Sequence, residues 1–180
     1  DRDCGHFAAD DDSILAAPRV DDNRREVGDR IRFGRQHEVP LYDQLIAGCD
    51  NFDHIVGGRL GNGLSPLKSD ANEVYDPQTR TWSTAAPMLR GRSGMNGVMA
   101  RGCFHVWGGE APTGMTPDHD YYDPRTGQWT RLRDMPIPIH GVNGTAFVNG
   151  LIHVPGGGIA IGGSSGSLYN QVFQPSVSCE

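Results

Sequence analysis

Apolar residues in this chain occur in short runs that turn-forming residues separate. FHVW (104–107) and IHV (152–154) are two such runs, and each is followed by a pair of glycines. Turn sequences such as PQTRT, PRTGQ and VNG separate the runs, and no helical periodicity appears from 53 to 175. Short apolar runs bounded by turn residues are typical of β-strands. The pattern therefore predicts an all-β protein.

The order of these elements repeats along the chain. NEVYDPQTRTWSTAAPM (72–88) and HDYYDPRTGQWTRLRDM (119–135) share Tyr-Asp-Pro, then Trp, then Met. A strand that ends in paired glycines occurs three times, at a spacing of about 50 residues, in DHIVGG, FHVWGG and IHVPGG. VFQP (172–175) is a degenerate copy of the Tyr-Asp-Pro element. A period of this length predicts stacked or radial units, none of which buries its apolar face alone.

Each unit contains four predicted strands, and the strand that runs into the glycine pair is expected to be innermost. In the best-defined unit they are Phe104–Trp107, His119–Tyr122, Trp129–Leu132 and Val142–Val148. Paired glycines permit backbone conformations and close chain approaches that other residues do not. Tyr and Trp supply apolar area that can fill the space between adjacent sheets.

This order of elements resembles the kelch repeat. The stretch MPIPIHGVNGTAFVNGLIHVPGGG is similar to bacterial members of the kelch and galactose-oxidase-type propeller group. The resemblance covers roughly 53–175 and implies four-stranded blades around a central channel. The expected fold is thus an all-β kelch-type β-propeller.

The length allows only an incomplete propeller of about three blades. Closed propellers usually have four to eight blades, and 180 residues supply fewer than four units of about 50 residues. We expect either a fragment of a longer propeller or a form that closes by self-assembly. Residues 41–180 are assigned to the kelch blades. Residues 1–40, which are rich in charge, are interpreted as an extension or a divergent blade.

Composition narrows the classes of partner. The net charge is −6, which argues against nucleic acid and anionic membranes as partners. No apolar run is long enough to span a membrane. The N-terminal DRDCGHFAADDD does not resemble a signal peptide, and the sequence indicates no compartment.

The cysteine and histidine residues are the main candidates for a chemical site. The four cysteines show no zinc-type spacing and are interpreted as free thiols or small buried residues, with a disulfide as the alternative in a secreted protein. Equivalent repeat positions predict packing roles for His54, His105 and His153. His119, within PDHDYYD, is predicted to lie at a solvated acidic strand end. No catalytic residue, metal ligand or cofactor is predicted.

The kelch resemblance implies a binding face. Residues just after each glycine pair and near the start of the next strand line one face of such propellers. The corresponding positions are Arg59, Arg92, Asn96, Glu110, His140 and Asn143. Loops 59–69 and 110–117 are long, and loops on a rigid scaffold commonly carry binding sites. Arg59 and Arg92 could hold a carboxylate, and the alternative for each residue is solvated surface charge.

These features predict a non-catalytic scaffold that binds a protein, peptide or carbohydrate ligand through its blade loops. The alternative is the propeller part of an enzyme, either a galactose-oxidase-like copper oxidase or a sugar-modifying enzyme. The copper alternative needs Tyr, His and Cys side chains that converge in space. The glycine-rich stretch 156–167 lacks the helix that follows a phosphate-binding loop, so it is predicted to be a long flexible inter-strand loop.

Overall fold

The structure is a computed structural model. It describes residues 41–42, 45–49, 52–61, 67–142, 144–163 and 165–180, and for the strands between 41 and 49 it describes the backbone alone. The interpretation of residues 1–40 as an extension or divergent blade lies outside the described residues.

Every regular element in the described ranges is a β-strand, as the sequence predicts. Each strand is short, and its bounds agree with the predicted turns. The strands are β1 (Leu41–Tyr42), β2 (Leu45–Cys49), β3 (Phe52–Val56), β4 (Arg59–Leu60), β5 (Asn72–Asp76), β6 (Thr81–Thr84), β7 (Asn96–Ala100), β8 (Cys103–Trp107), β9 (Glu110–Ala111), β10 (Gly114–Met115), β11 (His119–Asp123), β12 (Gln128–Arg131), β13 (Ala146–Val148), β14 (Leu151–Pro155) and β15 (Asn170–Phe173).

The longer strands form three antiparallel sheets, which we call blades. Blade 1 has the order β2-β3-β5-β6, blade 2 has the order β7-β8-β11-β12, and blade 3 has three strands, β13-β14-β15. Two ribbons, β1-β4 and β9-β10, accompany blades 1 and 2. The described residues thus form the incomplete set of about three blades that the repeat predicts.

Each blade begins one strand earlier in the chain than the predicted unit, at the strand that precedes the glycine-pair strand. The predicted strand Val142–Val148 is shortened to β13, and it begins blade 3 because it pairs with β14. Asn149 and Gly150 have φ of 51° and 78°, which is the geometry of a tight hairpin turn and joins these two strands. The glycine-pair strand is therefore second in its blade, which corrects the expectation that it is innermost. The first strands β2, β7 and β13 contact one another in series.

The glycine pairs mark where one blade meets the next. Gly58 donates its N–H to the carbonyl of Arg92 at 3.0 Å, and Gly109 donates to that of Ile139 at 2.8 Å. Gly57 has φ of 65°, and a Cβ there would lie 2.6 Å from the carbonyl oxygen of Arg92. Only glycine permits this backbone conformation and this approach together. The close chain approach predicted for the glycine pairs is confirmed.

Apolar cores fill the space between consecutive blades. Between blades 1 and 2, Tyr122 and Trp129 pack with Met88 and Phe104. The indole N–H of Trp129 donates to the carbonyl of Ala86 at 2.9 Å. Between blades 2 and 3, the buried residues of the corresponding core are Ala100, Trp107, Ile139, Ile152 and Val154. The predicted role of the repeated Tyr and Trp as inter-blade packing holds in blade 2.

The segment that follows β15 returns to blade 2 and is tied there by a disulfide. Cys179 is bonded to Cys103, at the start of β8, and its N–H donates to the carbonyl of Arg101 at 2.8 Å. The interpretation of these two cysteines as free thiols is wrong. The two cysteines are 76 residues apart, so no local sequence pattern indicates their bond, and only the tertiary fold brings them together.

Loss of this disulfide should lower stability markedly. A cross-link over such a separation restricts the unfolded chain, so the double variant Cys103→Ala/Cys179→Ala should lose about 2–4 kcal/mol of unfolding free energy. Urea unfolding measures it, and the wild-type protein under reducing conditions should show the same loss. An unchanged unfolding midpoint in both samples would contradict the cross-link.

Candidate functional site

Only some of the six predicted face residues come together. Glu110 and His140 meet directly, and Arg59 forms an isolated β-bridge with Lys68, whose ammonium reaches Glu110. Arg92 and Asn96 are buried instead. Asn143 lies outside the described residues.

Glu110 is the hub of this face. Its backbone pairs with Ser93, just before β7, through two hydrogen bonds of 2.8 and 3.0 Å. One carboxylate oxygen accepts the N–H of Gly162 at 3.0 Å, and the other lies 3.7 Å from the Nζ of Lys68. Through these contacts Glu110 joins loops of three blades. Because Glu110 is only 7% exposed, it offers little surface to a ligand.

His140 fixes the loop of blade 3 to this hub. Its Nδ1 lies 3.5 Å from the carboxylate of Glu110, and its Nε2 lies 2.8 Å from the carbonyl oxygen of Ala160. The hydroxyl of Ser165 donates to the same carbonyl at 3.0 Å and accepts the N–H of Ala160 at 3.0 Å. The loop between β14 and β15 is therefore held by side chains at its centre, in addition to its strand ends.

Two apolar side chains project from this anchored loop. Ile159 is 49% exposed and Ile161 is 54% exposed, on either side of Ala160. The prediction of an inter-strand loop is confirmed, but sequence reasoning did not assign these residues to the binding face. The available signal was a pair of isoleucines within a glycine-rich loop, where no strand requires apolar residues.

Arg92 belongs to a buried ion-pair network inside blade 2. Its guanidinium lies 2.8 Å from a carboxylate oxygen of Asp120 and 3.2 Å from one of Asp118. Arg131 reaches the same two carboxylates at 3.5 and 2.6 Å. Arg92 does hold carboxylates, as its chemistry suggested, but they belong to its own blade. The alternative of solvated surface charge is wrong for this residue.

The same network corrects the interpretation of PDHDYYD as a solvated strand end. Asp118 and Asp120 are at most 1% exposed, because β11 lies between β8 and β12. Burial alone would raise the pKa of Asp118, but hydrogen bonds from Arg131 and Thr116 and the charges of Arg131 and Arg92 lower it to about 2. The acidic residues of this stretch are paired internally, and the sequence does not show which cations pair with them.

Replacing Arg92 should be far more damaging than replacing its neighbour Arg90. Arg92→Met removes a buried positive charge that pairs with the carboxylates of Asp118 and Asp120. The variant should therefore lose about 3–5 kcal/mol of unfolding free energy. Arg90 also contacts Asp118, at 3.3 Å, but its side chain is 51% exposed, so Arg90→Met should cost less than about 1 kcal/mol. Urea unfolding of both variants compares them, and equal losses would contradict the network.

A histidine pair lies on the other face of blade 2. Nδ1 of His105 is 3.1 Å from Nε2 of His119, so one neutral ring donates and the other accepts. Burial lowers the pKa of His105 to about 4. Burial, followed by the charges of His105, Arg92 and Arg131, lowers the pKa of His119 to about 3. The packing roles predicted for His54 and His105 are confirmed, since His54 also packs on Phe104 and Tyr122.

The histidine pair should make stability pH-dependent. Both pKa values lie below the unfolded value of about 6.5, so the unfolded state takes up protons first as pH falls. Stability is therefore fully present above pH ~6.5 and should fall by about 2 kcal/mol per histidine between pH 6.5 and 5. Urea unfolding at several pH values measures the slope. His105→Gln should reduce this slope by about half, and an equal slope in the wild type and the variant would contradict the role of the pair.

The described residues give no support to the copper-oxidase alternative. Cys103 is held in a disulfide, so its sulfur is not available for a cross-link to tyrosine. Within the described ranges, no three His, Cys, Asp or Glu side chains are grouped as metal ligands would be. Those ranges likewise contain no helix long and apolar enough to cross a membrane.

Repeated four-stranded antiparallel blades that pack face to face define a protein of the β-propeller class. Residues 40–89 match the family model of the Kelch motif. Kelch-like protein 40 of Xenopus laevis is 28% identical over 127 residues, which is 67% of this chain and 20% of that protein. Kelch-like protein terF of Aspergillus terreus is 33% identical over 130 residues, which is 68% of this chain and 27% of that protein.

These similarities identify the repeat of this chain as the kelch repeat, and its blades are those of a kelch-type propeller. The chain spans between about a fifth and about a quarter of the length of these two relatives. Both come from eukaryotes, and the resemblance to bacterial members stays a prediction.

Proposed function

We propose that this chain is a non-catalytic scaffold that binds a segment of another protein on its loop face. We define the loop face as the described residues that follow the three glycine pairs: Arg59, Glu110–Met115 and 158–163. The observation that carries the proposal is the pair Ile159 and Ile161, half-exposed on a loop that is anchored to the Glu110 hub.

The loop face is suited to binding because its order is established before a partner arrives. Hydrogen bonds to Glu110 and His140 hold the loop in one arrangement, so binding costs less conformational entropy. The isoleucines then supply apolar area that is lost from water on contact. Their side chains offer no hydrogen bonds to sugar hydroxyls, so a protein segment suits them better than a carbohydrate.

Peptide display on the purified protein tests this proposal. We expect selected peptides to contain apolar residues and to bind saturably. The double variant Ile159→Ser/Ile161→Ser should bind them about 30-fold more weakly, which corresponds to about 2 kcal/mol of lost apolar burial.

Val148→Ser is the matched control for this test. Val148 is 48% exposed and lies in β13, away from the glycine-pair end of blade 3. This variant should bind the selected peptides as the wild type does. Equal binding by all three proteins, or a selection that yields no saturable peptide, would refute the loop face as the binding surface.

A further inference from the structure

The outer edge of blade 3 is an unpaired strand. Gly156 donates its N–H to the carbonyl of Tyr169 at 2.6 Å, and this fixes which backbone groups of β15 face β14. In an antiparallel pair such groups alternate, so Gln171 and Phe173 bond toward β14 while Asn170 and Val172 direct theirs away. Among the described strands, none pairs with β15 on that side.

Blade 2 shows what occupies this position when a blade is complete. There β12 pairs with β11, and its Trp129 reaches across to Ala86, in the segment that follows β6 of blade 1. The repeat aligns Ala86, whose carbonyl accepts the indole N–H, with Arg133. A fourth strand in blade 3 would direct its tryptophan toward the carbonyl of Arg133.

A cavity lies where that tryptophan would sit. Its volume is about 520 Å³, within the range of ligand-binding pockets. It is lined by the segment Leu132–Pro136 and by residues of β15, including Phe173. Trp107 and Val154 add further apolar lining, so the cavity is suited to an aromatic side chain.

None of the described residues fills this position. After β15 the backbone leaves the edge and runs to blade 2, where Cys179 is bonded to Cys103. The segment 174–180 contains no aromatic residue. The three tryptophans of the sequence are Trp82, Trp107 and Trp129, and each lies in a strand of blade 1 or 2.

We propose that the free edge of β15 and the adjoining cavity bind an extended segment of another polypeptide. The segment adds as the fourth strand of blade 3, pairs antiparallel with the backbone of Asn170 and Val172, and inserts a tryptophan into the cavity. Main-chain hydrogen bonds supply affinity and the aromatic pocket supplies specificity, as in other strand-addition complexes. This site is separate from the loop face and does not depend on its function.

A peptide with the sequence TGQWTRLRD, which is residues 126–134, is the probe because it contains the fourth strand of blade 2. We expect the fluorescently labelled peptide to bind saturably in anisotropy titrations. The same peptide with Trp129→Ala should bind about tenfold more weakly or worse. Hydrogen exchange should slow at the amides of Asn170 and Val172 when the peptide is bound.

Two variants of Val172 separate backbone pairing from side-chain contact. Val172→Pro removes an N–H that β14 does not use, so the blade should remain folded while strand addition is lost. Val172→Ala keeps the N–H and should bind the peptide within about threefold of wild type. Circular dichroism checks that both variants fold.

Three results would overturn the proposal: no saturable binding, equal binding of both peptides, or unchanged binding by Val172→Pro. Sedimentation of the protein without peptide provides a further outcome. Self-association that excess peptide reverses would make a second copy of this chain the occupant and overturn the assignment to another polypeptide.

Discussion

The structure depends on one constraint, which is that a blade cannot bury its own faces. Each sheet is a single layer, so the apolar residues on its two sides need neighbouring sheets. Blade 2 meets this need on one side with Tyr122 and Trp129 against blade 1, and on the other with Trp107 against blade 3. The chain therefore repeats its packing residues at each blade, and its stability is shared between interfaces.

The glycine pairs give this packing its geometry and give the loops their place. Because the backbone at Gly58 and Gly109 lies against the start of the next blade, the segments that follow emerge side by side on one face. Glu110 then joins those segments through its carboxylate and backbone. Glu110 is thus a structural support of this face, and the neighbouring Ile159 and Ile161 are its exposed apolar side chains.

The buried charges of blade 2 and the bond between Cys103 and Cys179 stabilise the fold. Arg92, Asp118 and Asp120 neutralise one another within blade 2, and the histidine pair lies buried on its other face. The bond between Cys179 and Cys103 holds the end of the described chain against blade 2. After β15 the backbone runs toward this bond, and the outer edge of β15 has no partner among the described strands and lies beside a cavity.

The sequence by itself determined the all-β class, the strand positions, the kelch repeat and the close approach at the glycine pairs, because these depend on local periodicity and turn chemistry. The resemblance to kelch propellers also implied a common face for Glu110 and His140, which meet in the structure. The sequence did not determine that Arg92 is buried, that Cys103 pairs with Cys179, or that β15 has no outer partner among the described strands. Those features depend on which distant residues meet in space, and only tertiary packing decides that.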